Sequence, residues 1–157
     1  VDPVEAGERG EAMARRLERI GAGVEMGRVG EIFFAVGGLR GLYGGEVAGV
    51  TAAARAAVQT GSAGSVLIGV GPTRTAARAA AERGEVVVTA ERLGRFLAPL
   101  PTAVLIDRLG EPRRAAEELV VSLERLGIST LGALRRLTLD QVADRFGPRG
   151  LRALRIA

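Results

Sequence analysis

Cysteine, histidine and tryptophan are all absent from the 157 residues. Disulfides, thiolate nucleophiles, zinc sites of the Cys/His kind and every histidine-based acid–base mechanism are thereby excluded. Any chemistry would have to run on carboxylates. Aromatic residues make up only 3% of the chain against a hydrophobic share of 47%, so the core must be built from Ala, Val, Leu and Ile. No run approaches the roughly 20 apolar residues of a membrane span, and the opening VDPVEAGERGEAMARR is too polar for a signal peptide. No membrane partner and a cytoplasmic location are expected. The chain begins without methionine and enters a helical pattern at once, as expected of a piece of a longer protein.

The length suits one domain, or one with a small appendage. A net charge of +4, from 22 basic and 18 acidic residues, is mild, so distribution matters more than the sum. Asp2 and Pro3 form a helix start, and Met13, Leu17 and Ile20 then recur at helical spacing. Residues 24–38, VEMGRVGEIFFAVGG, read as one buried central strand closed by two glycines, with Glu31 at its mouth and Gly30 before it. A glycine-rich loop over 37–45 leads to an alanine-rich helix over 46–59, with Val47, Val50, Ala54 and Val58 as its buried stripe. Further strands are predicted over 65–70 and 85–89, and a less definite one over 103–106. Helices are predicted over 90–97, 111–126, 130–137, 139–146 and 148–156, with Gly127 as a C-terminal cap and Thr130 as an N-cap.

The join at 69–74, GVGPTR, is not a dinucleotide fingerprint, because Arg74 stands at the third glycine and Pro72 removes an amide donor. It leaves a helix start carrying Arg74 and, one turn on, Arg78. These are phosphate contacts or a solvated helix end. Residues 123–137, LERLGISTLGALRRL, pair two helices across a glycine turn, with the second helix start free to meet a phosphate. With Arg135, Arg136, Arg145, Arg149, Arg152 and Arg155, this half is the more basic. Two readings stand from spacing alone: a helix-hairpin-helix that grips nucleic-acid backbone, or a small bundle with arginines on its wet face.

VEMGRVGEIFFAVGG, SVLIGVGPTRTAARAAA, EVVVTAERLGRFLAPLP and LERLGISTLGALRRLTLDQVADRFG, in that order, resemble the later palm and the thumb of a Y-family translesion DNA polymerase. The resemblance runs from the first helix nearly to the last residue. It implies an α+β fold, with a small palm-like sheet and packed helices over 1–98 and an all-α thumb-like helix-hairpin-helix unit over 99–157. In that family the strand mouth carries Ser-x-Asp-Glu, whose acids serve metal binding and catalysis. Here the matching residues are Arg28, Val29, Gly30 and Glu31, so only a relic Glu31 survives and no metal site is intact. Two-metal phosphoryl transfer needs clustered carboxylates that hold two cations about 3.5–4 Å apart. Together with VGGLRGLYGG, the pattern is similar to the catalytically defective ImuB-type branch.

That resemblance implies an adaptor role in DNA damage tolerance and induced mutagenesis, with nucleoid-associated DNA as partner. An error-prone DnaE-type polymerase and a sliding clamp would be engaged through regions outside this chain. Arg74 matches a lysine near the incoming triphosphate. Gly127, Ser129 and Thr130 match the turn that holds duplex phosphates, with Arg135 and Arg136 behind it. No cofactor is expected in the adaptor role. Mg2+ enters only under the alternative of an active polymerase whose remaining acids lie outside this chain. A protein-interaction scaffold is the third reading.

Overall fold

The computed structural model describes residues 3–59, 65–84 and 87–157. The chain is α+β and divides into two compact units, Val1–Ile68 and Gly69–Ala157. Asp2, the expected N-cap, lies outside the described residues.

In the first unit, α1 (Pro3–Arg19) turns Ala14 and Leu17 inward, with Met13 and Ile20 half-buried beside them. The stretch 24–38 is not one central strand. It is a hairpin of β1 (Val24–Met26) and β2 (Ile32–Phe34), antiparallel, in the register Val24 to Phe34 and Met26 to Ile32. The physical reason is the turn between them. Glu31 N–H donates to the Arg28 carbonyl at 2.8 Å, and Gly30 sits at φ +84° in the third position of that turn. A type II turn demands positive φ there, which glycine adopts without steric cost. The glycine-rich loop is better ordered than expected, because Gly37–Leu42 winds into a 3-10 helix that buries Leu39. α2 (Val47–Gln59) then buries Val50, Ala54 and Val58, the predicted stripe, and Val47 is half-buried.

The second unit has one continuous core. The strands expected over 65–70 and 85–89 are represented by a single parallel bridge, Val70 to Val87, with Val88 N–H donating to Val70 O at 2.8 Å. Glu85 and Val86 lie outside the described residues. Pairing is cut short because Thr73 already caps α3 (Arg74–Arg83) by accepting the Ala76 N–H at 3.2 Å. Gly69 and Gly71 lie directly on α3: a Cβ on Gly69 would collide with the Ala77 carbonyl and the Ala81 amide nitrogen. After α4 (Leu93–Leu97) the expected strand at 103–106 is instead a 3-10 helix, Thr102–Asp107. Its buried residues, Thr102 and Leu105, follow helical spacing with Leu109. α5 (Arg113–Arg125), α6 (Leu131–Arg135) and α7 (Leu139–Ile156) complete the unit, α7 being broken at Gly147. The composition change at Pro99-Leu100-Pro101 falls inside this unit, since Leu97, Leu100 and Leu105 share its core with Leu123 and Leu134.

Gly69→Ala is expected to destabilise the protein by about 2 kcal/mol or more, because helix backbone, not a movable side chain, stands in the way. Gly23→Ala, with nothing within 4 Å, should be close to neutral. Thermal denaturation of both variants checks the contrast.

Candidate nucleic-acid interface

The hairpin of α5 and α6 is set by short-range chemistry. α5 packs through Ala116, Leu119, Val120 and Leu123. It ends as Gly127 donates to Glu124 O at 2.9 Å and Ile128 to Leu123 O at 3.0 Å, with Gly127 at φ +75°. This pair of bonds is the Schellman termination, and its accompanying apolar contact is between the buried Ile128 and Leu123. Thr130 then caps α6 by accepting the Ala133 N–H at 3.1 Å. Thr138 and Gln141 form a reciprocal capping box that opens α7.

The start of α6 was expected to be free for a phosphate, and it is not. Leu131 N–H donates to Leu100 O and Gly132 N–H to Ala98 O, both at 2.9 Å, while Ala133 N–H is held by Thr130. On the other edge Thr102 N–H donates to Ser129 O at 3.0 Å, and the Thr102 hydroxyl donates to the same carbonyl at 3.4 Å. Pro101 and Thr130 therefore face one another as an antiparallel bridge. Among the described residues, the donors left at the turn are the Ser129 and Thr130 amides and the exposed Ser129 hydroxyl. Of the three turn residues singled out from sequence, Gly127 and Thr130 shape the turn and Ser129 faces outward.

The arginines divide into two groups. Arg78 is bound to Glu82 at 2.6 Å and lies 3.9 Å from Asp107, so its charge is neutralised on the spot. Arg113 pairs with Glu117 at 2.7 Å, Arg114 with Glu118 at 3.3 Å, and Arg149 and Arg152 both approach Glu111. A cleft of about 240 Å³ beside Arg78 also carries Arg108, Glu82 and Asp107, and its opposite charges cancel. Arg135 and Arg136, by contrast, are exposed at the end of α6 and have no carboxylate partner among the described residues. Arg74 is exposed at the first position of α3, behind Thr73. The second unit holds 15 arginines against 10 acidic residues, the first 7 against 8, so the positive excess belongs wholly to the second.

In the first unit, Glu31 is half-buried at the end of the hairpin turn and Gly30 is exposed beside it. Among the described residues no three acidic side chains stand close enough to hold a metal ion. One glutamate next to a turn glycine does not fit a two-metal centre, and no reaction step is derived through one. Also among the described residues, no helix is long and apolar enough to cross a membrane. Local pattern missed Thr102, Leu100 and Ala98 as the groups that occupy the hairpin. The available signal was the Pro-Thr step at 101–102, a strand-like entry ahead of a buried threonine.

No family model, curated protein or solved structure matches the chain.

Thr130→Ala should cost about 1 kcal/mol through loss of the N-cap, and Thr130→Ser should restore it. Ser129→Ala should leave stability unchanged. Equilibrium denaturation of the three variants separates the shaping residue from the outward-facing one.

Proposed function

We propose that the chain is a non-catalytic, polymerase-derived module that binds DNA through its phosphate backbone, without reading sequence, in DNA damage tolerance. The observation that carries this reading is the exposed Arg135–Arg136 pair, without acidic partners, directly behind a turn that presents open amide and hydroxyl donors at Ser129 and Thr130. Guanidinium groups suit phosphate oxygens through paired N–H donors, and the open amides at the start of the same five-residue helix add neutral donors. The ordered resemblance of four segments to a palm and thumb adds the polymerase ancestry, and Gly30 in place of an aspartate supports loss of the reaction. Partners such as an error-prone polymerase and a clamp belong to this adaptor role.

The role of Gly30 is tested by primer extension. The full-length protein with magnesium or manganese is expected to give no templated incorporation, and incorporation would overturn the non-catalytic reading. Gly30→Asp alone should not restore activity, because one added carboxylate at a position of φ +84° does not rebuild a metal pair.

Binding is tested separately by fluorescence anisotropy with duplex DNA of mixed sequence. Affinity should fall linearly on a log–log scale with salt. Arg135→Ala with Arg136→Ala should lower the slope by roughly 2 and the affinity at moderate salt by about tenfold. Absence of binding at low salt would favour a protein scaffold instead.

A further inference from the structure

Small residues bring α4 and α6 into backbone contact. A Cβ on Gly132 would stand 2.9 Å from both the carbonyl oxygen and the Cβ of Ala98, and the Gly132 N–H donates to that same carbonyl. About one turn along each helix, the Arg135 guanidinium fills the room over Gly94, where a Cβ would lie 2.9 Å from Nη1. The seam is thus Ala98 on Gly132, with Arg135 laid over Gly94.

Helical rotation fixes what flanks this seam. At 3.6 residues per turn, Phe96 and Leu97 of α4 and Leu131 and Leu134 of α6 turn into the core, and all four are buried. Arg95 and Arg136 each follow a seam residue by one position, are exposed, and fall on the side of the seam away from that core. Helices touching through small residues lie about 8 Å apart. That is within a screening length of about 8 Å at physiological salt.

One guanidinium, that of Arg135, therefore lies in the seam, and Arg95 and Arg136 project from its solvent side. Among the described residues none of the three has a carboxylate partner, unlike Arg78 on α3 and Arg113 and Arg114 at the start of α5. The acids nearest in sequence, Glu91 four residues before Arg95 and Asp140 four after Arg136, form no ion pair with them, and the Glu91 carboxyl is held below the usual glutamate range by its own backbone N–H and the Thr89 side chain. Like charges gathered without an ion-paired carboxylate repel one another, and a row of phosphates relieves that repulsion.

We propose that Arg95, Arg135 and Arg136 form one phosphate-binding seam for the backbone of duplex DNA, with Gly94 as the positioning residue that seats Arg135. The proposal rests on the DNA-binding reading above and extends the contact surface from the hairpin onto α4. Phosphates along one strand would be covered from two helices at once, by forked donors on Arg95 from one side and on Arg135 and Arg136 from the other.

The test is anisotropy with mixed-sequence duplex DNA between about 50 and 200 mM salt, the range over which phosphate contacts are counted. Arg95→Ala should weaken binding by roughly three- to tenfold and reduce the salt slope by about 0.9, and Arg95→Lys should restore the slope. Arg114→Ala removes the same net charge from a site already paired with Glu118, and should change neither. Gly94→Ala should keep or raise the melting temperature, since alanine favours helix over glycine, yet weaken binding by displacing Arg135. If Arg95→Ala binds as the unaltered protein does while Arg136→Ala is weakened, the seam is wrong and the hairpin reading stands. If the unaltered protein does not bind at low salt, the DNA-binding reading itself fails and the seam with it.

Discussion

The first three amides of α6 are consumed inside the second unit, and most of what that unit can offer a ligand follows from this. Leu131 and Gly132 donate to the carbonyls of Leu100 and Ala98, and Ala133 to the Thr130 hydroxyl. A buried amide left unpaired costs about 1–3 kcal/mol, so these bonds hold residues 98–102 against 129–132 in the manner of a short sheet. The Thr102 donations to Ser129 O close the other edge. A phosphate arriving here meets the turn before the helix and the arginines behind it, rather than a bare helix start.

The same economy of backbone groups explains the two glycine positions on which the functional reading turns. Gly30 is required by the geometry of the hairpin turn, whatever its history, because the third residue of that turn has φ +84°. Gly132 is required by closeness: any side chain there would enter the Ala98 carbonyl and break the contact that brings α4 to α6. Both glycines decide where their charged neighbours stand.

Much of the helical content was legible because its signals are local. The stripe Val50, Ala54 and Val58, the cap Thr130, and the stop at Gly127 each depend on residues within a turn or two. The hairpin at 24–34 was obscured because the apolar run Ile32-Phe33-Phe34 outweighed Gly27 and Gly30 in a reading by hydrophobicity. At 103–106 a run of apolar and β-branched residues concealed the helical spacing of Thr102, Leu105 and Leu109. In the candidate site, exposure of Arg135 and Arg136 could be anticipated from the amphipathic pattern of α6. The occupation of its amides could not, because Thr102 bonds a residue 27 positions away and no local pattern encodes that.

The distribution of ion pairs sets the character of the surface more than its strength. In α1 the pairs Arg9–Glu5 and Arg15–Glu11 are exposed, and such pairs contribute only about 0–1 kcal/mol each. Their effect is to leave those helix faces neutral, as Arg78–Glu82 and Arg113–Glu117 do on α3 and α5. The end of α6 is one of the places where arginine charge has no paired carboxylate among the described residues. α6 has five residues and rises about 7 Å, too short to lie along a major groove and present several side chains to base edges. Guanidinium forks at the end of so short a helix can reach phosphate oxygens, which are alike at every step of a duplex. Contact of that kind is strong at low salt and indifferent to sequence.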